Sequence, residues 1–534
     1  MKSLYSDKEA DEFKTDLDLR VYTSRLLGQD TSLVLHGGGN TSVKSTATNL
    51  FGETEDILYV KGSGWDLATI EAQGFAPVKM EMLLKMAELT ELSDTDMVKY
   101  QRLAMTDPSA PNPSVEAILH AIIPFKFVDH THADAVVTIT NTIGGEEKIR
   151  EIYGDKVLII PYIMPGFVLA KLVYDMTKDV EWGNLEGLVL MNHGLFTFSD
   201  DAKKSYEKTI ELVDRAERYL EAKGATLQIE KISSHVELLT LAKIRKEISS
   251  LKGRATISIL NESDLAVHFS KQDVDKIATQ GPLTPDHVIR TKRVPAIVGD
   301  NFVSDLANYA KEYKDYFEAN KTSQTLLNPA PNFAILKNNG SLSFGANAKE
   351  AHIIKDINNH TFEAILKAQT LGGYKALSAE DIFEVEYWSL EQAKLKSEAK
   401  VPEFSGKIAL VVEANSIHGR EIAHILNLKG AAVVEVDENS DIQNKIEVAI
   451  KNFGGIDIVV NCGENFKRHK IVRREVAPFL HVGVEPAFLI AGLDFVAKDC
   501  AIFSDTFDES NLLRIKTDPT KIAQMVSVMV TNLF

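Results

Sequence analysis

Over its first 240 residues the chain alternates short apolar runs with amphipathic helical stretches, and several runs end in glycine turns. This alternation admits few architectures and predicts an α/β domain in which helices cover a sheet. DEFKTDLDLRVYTSRLL reads as an amphipathic helix, TSLVLHGGGNTSVKS as two strands joined by a glycine turn, and DILYVKGSG as a strand ending in another. APVKMEMLLKMAEL and SVEAILHAII read as helices, FVDHTHADAVVTITNT as a strand of alternating character, and KVLIIPYIMPG as a buried strand. FVLAKLVYDMT reads as a helix and EGLVLMNHGLFTFSD as a hairpin, followed by the long helix AKKSYEKTIELVDRAERYLEAKG.

At 534 residues the chain exceeds one ordinary core, and roughly 150 residues per domain suggests about three or four domains. PNFAILKNNGSLSFGANAKEAHIIKDINNHTFEAILKAQTLGG repeats the layout of 185–224, strand, N-[HN]-G turn, strand and long helix, with Asn339 opposite His193. A duplicated unit and a common hairpin-helix that resembles itself by chance both account for this. A charged stretch ending in Pro and Gly marks a boundary near 395–405, and GKIALVVEANSIHGREIAHILNLKGAAVVEVD then opens a Rossmann-like βαβ unit, with FGGIDIVVNCG a later buried strand. The expected division is 1–240, an α/β domain carrying the site residues; 241–400, a bridging region that is a possible degenerate repeat; and 401–534, a truncated Rossmann-like domain.

The 44% hydrophobic and 25% charged residues are ordinary for a soluble globular chain. The net charge of -17 argues against nucleic acid as a partner, and an anionic substrate must be held by local donors. No run of about 18 apolar residues suggests a membrane span, and the charged N-terminus shows no signal peptide. Cys462 and Cys500 form no disulfide framework, so a cytoplasmic location is expected.

His130 and His132 lie two apart on a predicted strand, so both rings share a face and can share a metal ion. His193, in a turn expected to expose its ring, would be the third ligand; three histidines with an open position suit a catalytic zinc. Ordinary unliganded histidines remain the competing reading. Glu116, 14 residues before His130, can fold back as a ligand or as an acid/base, or stand as a solvated glutamate. Gly37-Gly38-Gly39-Asn40-Thr41-Ser42 and Lys61-Gly62-Ser63-Gly64 follow apolar runs and can present bare N–H groups to an anion, or merely reverse the chain. Ser114 near a helix start offers a third phosphate donor.

GGGNTSVK, VKGSGWDL, PSVEAILH, HTHAD and MNHGLF together resemble, in order, the motifs of class II, zinc-dependent sugar-phosphate aldolases of the fuculose- and rhamnulose-phosphate type. KGSGWDL, PSVE…FVDHTHADAV and EYWSLEQAKL are closer still to bifunctional rhamnulose-1-phosphate aldolase/alcohol dehydrogenases, over residues 30 to 470. The resemblance implies Zn²⁺ (or another divalent metal) on His130, His132 and His193, Glu116 as catalytic acid/base, and substrate phosphate at Gly39, Asn40, Ser63, Gly64 and Ser114, helped by Lys61. It also implies a homo-oligomer acting on a sugar phosphate, favouring L-rhamnulose 1-phosphate and releasing dihydroxyacetone phosphate and a small aldehyde. A raised Glu116 pKa would suit its role. Epimerisation or decarboxylation at the same metal site, or a non-catalytic scaffold, are the alternatives.

The dehydrogenase part departs from this pattern. Of the T-G-x-x-x-G-x-G turn only Gly419 survives in Val412-Glu413-Ala414-Asn415-Ser416-Ile417-His418-Gly419. Glu413 and Ile417 stand where glycines would admit a pyrophosphate. VVNCGE replaces N-N-A-G, and no tyrosine after Tyr387 can supply a Tyr-x-x-x-Lys pair. The 134 residues from 401 are expected to be a short-chain dehydrogenase remnant without functional NAD(P).

Overall fold

The computed structural model describes residues 1–229, 231–395, 401–462, 466–484, 487–491 and 500–503. Gly463 and Glu464 of VVNCGE and residues 396–400 of the expected boundary lie outside the described residues. The chain divides into two compact units: 1–228 with 280–289 and 360–396, and 229–279 with 290–359 and 397–534. Among the described residues no helix is long and apolar enough to cross a membrane.

The first unit is built on a seven-stranded sheet. Its strands are β1 Asn40–Thr48, β2 Thr54–Lys61, β3 Phe75–Lys79, β4 Phe127–Thr131, β5 Val157–Ile160, β6 Gly187–Leu190 and β7 Gly194–Ser199. They lie in the order β3-β2-β1-β4-β7-β6-β5. All neighbours are antiparallel except β5 and β6. Helices cover both faces, and the period-two alternation of the strands divides their side chains between two cores. Val189 and Leu195 join one cluster with Val136, Tyr206 and Val213. Leu188, Leu190, Phe196 and Phe198 join the other with Leu119, Phe167 and Val173.

Three expectations are corrected. TSLVLHGGG forms turns rather than a strand, because Leu33 and Val34 are spent filling the core and both N–H groups return to Asp30. The strand holding His130 stops at Thr131, and the β-branched AVVTIT that follows is helical over Asp134–Thr140, where burial overrides propensity. APVKM opens as β3 before the helix Met80–Glu88.

Beneath the site, Arg20 and Asp129 form a wholly buried ion pair at 2.5 Å. Asp129 also accepts from Ser205 Oγ at 2.5 Å, while Arg20 donates to Thr23 and Ser24. Asp129→Ala leaves the guanidinium uncompensated; we expect a loss of about 3–5 kcal/mol, read as a lower urea midpoint. An unchanged midpoint would show that the pair does not anchor β4.

The second unit holds two sheets. β8 Ile257–Asn261, β9 Ala296–Val298, β10 Phe333–Leu336 and β11 Gly340–Gly345 are ordered β8-β11-β10-β9. β10, β11 and the helix Ala348–Thr370 reproduce the layout of β6, β7 and the helix Ala202–Ala222. Both hairpin turns hold an asparagine with positive φ, Asn192 at 57° and Asn338 at 69°, a conformation that asparagine tolerates. β12 Ile408–Val412, β13 Ala432–Val436, β14 Ile458–Asn461, β15 Ala487–Ala491 and β16 Cys500–Phe503 are ordered β13-β12-β14-β15-β16. All neighbours here are parallel except β15 and β16, so the βαβ expectation holds. Glu413 adopts φ 56° at the turn after β12, a left-handed position that favours glycine.

Candidate metal centre and active site

The site forms where β1, β4 and the β6–β7 turn meet. Asn40 pairs with His130, and His130 with Phe196. The backbone closes tightly there: at Gly39 (φ 61°) a Cβ would lie 2.6 Å from the His130 carbonyl. At Gly194 a Cβ would lie 2.9 Å from the His130 ring and 3.1 Å from the His132 ring. The imidazoles of His130 and His132 occupy room that Gly194 leaves, while Gly39 admits the His130 carbonyl.

One ring nitrogen from each of His130, His132 and His193 lies within 4.8 Å of the others. The Nε2 atoms of His130 and His132 face each other at 3.1 Å, near the roughly 3.3 Å edge of a tetrahedron with zinc–nitrogen bonds of about 2.0–2.1 Å. His130 Nδ1 lies 3.1 Å from the Leu195 carbonyl. Donating there turns the Nε2 lone pair inward, the usual outer-shell device of a ligating histidine. His132 Nδ1 has a carboxylate in the same place, Asp286 Oδ1 at 3.5 Å. Burial lowers the pKa of His130 to about 4 and of His132 to about 3, so both rings are neutral at pH 7, as ligands must be. His193 is 7% exposed, correcting the expected exposed ring: Asn192 turns the chain so that the ring points at Glu116, 3.7 Å away.

Glu116 precedes the helix Ala117–Ile122 and is buried, with Oε2 3.5 Å from His130 Nε2. Asn40 Nδ2 donates to Oε2 at 2.6 Å, and Oε1 has no hydrogen-bond partner. The expectation of a raised pKa is overturned. Burial does work to raise it, but His130, His193 and the Asn40 bond outweigh burial and bring it to about 2. Asn40 is itself oriented by His120, whose Nε2 bonds Asn40 Oδ1 and whose Nδ1 meets Ser42 Oγ at 2.7 Å. Three clustered imidazoles beside a buried carboxylate that has one oxygen without a hydrogen-bond partner fit a divalent cation.

Of the expected phosphate donors, Asn40 and Ser114 lie next to this centre. Asn40 Nδ2 also reaches Ser114 Oγ at 3.2 Å. The Lys61 ammonium is tied to the Gly37 carbonyl at 3.0 Å, and burial followed by Lys394 lowers its pKa to about 8. Ser63 and Gly64 are exposed. The expectation of bare backbone N–H groups in the two turns fails at Gly38, Gly62 and Ser63, which bond the Leu35, Gly74 and Asn112 carbonyls, and the Ser114 N–H bonds the Lys61 carbonyl. Side chains must supply most of the remaining donors.

Sequence reasoning missed Asp286 and His120. His120 lies four residues after Glu116, one helical turn on. Asp286, in the segment TPDH, carried no spacing signal.

The comparisons set this α/β sheet, with its imidazole triad and adjacent carboxylate, among class II aldolase domains. Residues 19–220 match the model of the class II aldolase and adducin N-terminal domain, and residues 235–395 that of the class II aldolase second domain. The N-terminal class II aldolase domain of a conserved protein from Thermoplasma acidophilum is 43% identical, covering 41% of this chain and 99% of its own, with a TM-score of 0.38. The chain belongs to the class II aldolase and adducin family. An uncharacterized oxidoreductase of Bacillus subtilis, YuxG, is 28% identical over 514 residues, 86% of this chain and 74% of that protein. L-fuculose-1-phosphate aldolase from Thermus thermophilus is 15% identical over 39% of this chain and 99% of its own, with a TM-score of 0.26.

Proposed function

We propose that this chain is a zinc-dependent aldolase that cleaves a ketose 1-phosphate, L-rhamnulose 1-phosphate being favoured, to dihydroxyacetone phosphate and a small aldehyde such as lactaldehyde. The observation that carries this reading is the convergence of His130, His132 and His193 on one another beside Glu116, whose Oε1 lies 3.7 Å from His193 and has no hydrogen-bond partner. His130, His132 and His193 would hold the cation, which supplies Lewis-acid stabilisation of enediolate charge. Cleavage breaks the C3–C4 bond as the C4 hydroxyl passes its proton to water. The aldehyde leaves, and the bonding electrons remain as an enediolate over C2 and C3. The Glu116 carboxylate takes up a proton from water and passes it to C3, completing dihydroxyacetone phosphate, and in the condensation direction it removes that proton. The low pKa from Asn40 and the histidines makes Glu116 a carboxylate at rest, the form condensation requires. Asn40, Lys61, Ser63, Gly64, Ser114 and the Gly39 turn receive the phosphate.

The three-part division at 240 and 400 is retained in this proposal, as are descent from a bifunctional aldolase/dehydrogenase, a cytoplasmic location and a homo-oligomeric state. Residues 401–534 serve packing rather than NAD(P) chemistry, because Glu413 stands where glycine would let a pyrophosphate approach. The test is a panel of ketose 1-phosphates with both products identified. Triose phosphate and aldehyde in equal amounts are expected. An isomeric pentulose phosphate, or carbon dioxide from an acid substrate, would replace this reading with epimerisation or decarboxylation.

A further inference from the structure

The second aldolase-family region, residues 235–395, sends a short segment to the metal centre. Residues 280–289 belong to the same compact unit as the imidazole triad and are anchored there along their length. Asn141, 1% exposed at the end of the helix Asp134–Thr140, donates from Nδ2 to the Leu283 carbonyl at 2.9 Å. Its Oδ1 accepts from Asn192 Nδ2 at 2.9 Å, so the same side chain ties down the turn that carries His193. The buried Tyr374 hydroxyl faces the Gly281 and Pro282 carbonyls at 3.2 and 2.9 Å. Further on, Val288 and Ile289 pack with Ile382 and Val385 in an apolar cluster of their own. Asp286 lies between the polar and the apolar anchors, where the backbone has little freedom to carry it away.

Asp286 Oδ1 is buried and has no hydrogen-bond partner among the described residues, yet it lies 3.5 Å from His132 Nδ1. A buried acceptor without a donor costs free energy, and a donor that arrives there recovers it. The triad decides when a donor arrives. His132 Nε2 faces His130 Nε2 at 3.1 Å. A cation bound through Nε2 takes that lone pair and leaves the ring proton on Nδ1. The Nδ1–H group then stands opposite the carboxylate. His130 has a neutral carbonyl in this place, that of Leu195. Behind His132 the partner is a negative charge, which also raises the basicity of the ligating nitrogen.

We propose that Asp286 is a positioning residue of the metal centre: a carboxylate from the second aldolase-family region, locked in place through Asn141 and Tyr374, that fixes the tautomer and orientation of His132 and so strengthens zinc binding. This rests on the metal-site reading above, and its test needs no turnover. Zinc affinity of the full chain would be measured by competition with a chelator for the native protein, Asp286→Asn and Asp286→Ala, with thermal melts of each in the presence and absence of zinc. Both variants are expected to bind zinc about tenfold or more weakly. The metal-free melts separate positioning from general support of the fold. A residue that only held the fold together would lower the midpoint with or without zinc. The Asp286 variants, relieved of an unpartnered buried carboxylate oxygen, are expected to melt within about 2 °C of the native metal-free chain or above it, while the rise on adding zinc shrinks. Zinc affinity within about twofold of native in both variants would overturn the proposal, and so would metal-free midpoints that fall as far as the zinc-bound ones. A native chain that binds no zinc would remove the metal site and this proposal with it. Weakened zinc binding in the variants of a native chain that cleaves no ketose phosphate would sink the aldolase reading alone.

Discussion

His130→Ala is expected to leave the purified protein with little bound zinc and to lower cleavage of its ketose phosphate by at least about a thousand-fold. The ring is fully buried, stacked on Phe196 at 4.1 Å and 15°, with one nitrogen at the Leu195 carbonyl and the other facing His132. Alanine removes one of the three ring nitrogens that lie within 4.8 Å of one another, leaving His132 and His193. A Lewis acid at a developing enediolate supplies several kcal/mol, and about 4 kcal/mol corresponds to that thousand-fold loss. The empty ring volume would also cost roughly 2 kcal/mol or more in stability, so activity should be read well below the melting temperature. Metal analysis, turnover and a thermal melt on the same sample separate these effects. A variant with one zinc per chain would remove His130 from the ligand set; a zinc-free native chain with full activity would remove the metal from the mechanism.

The strands and helices that present the site were legible where periodicity was strong. The helix Phe167–Thr177 and the β6–β7 hairpin fall where the apolar pattern put them. The pattern misled where burial overrode local preference. AVVTIT has the β-branched content of a strand but packs as a helix, which leaves His132 one residue beyond β4. The i, i+2 geometry therefore brought the right pair of rings together for only part of the right reason: Gly194 makes the room and Leu33 O accepts the His132 N–H at 3.1 Å. Asp286 was illegible because it reaches His132 from 154 residues away in sequence, without a spacing motif. The charge state of Glu116 could not be read either. It depends on Asn40 and on two histidines from other strands and turns, all outweighing burial.

Glu116→Gln is expected to lower turnover by about 10²–10⁴ while zinc stays bound, and this pairing distinguishes proton transfer from ligation. Gln is isosteric, and its carbonyl can take the place of Oε2 as acceptor from Asn40 Nδ2, a bond of 2.6 Å in the native chain. His120 continues to fix Asn40 from the other side, with Ser42 behind it, so the side chain should keep its position. What disappears is the capacity to gain and lose a proton. If Glu116 moves the C3 proton, kcat falls and the Michaelis constant changes little, because phosphate and metal contacts are intact. Solvent-proton exchange at C3 of dihydroxyacetone phosphate should fall by the same factor, since that half-reaction needs the base but no aldehyde. If Glu116 is instead chiefly a fourth ligand, glutamine should weaken zinc retention, and added zinc should restore much of the rate. Full activity in the variant would take the acid/base role from Glu116 and leave the imidazole triad as the only part of the proposed mechanism standing.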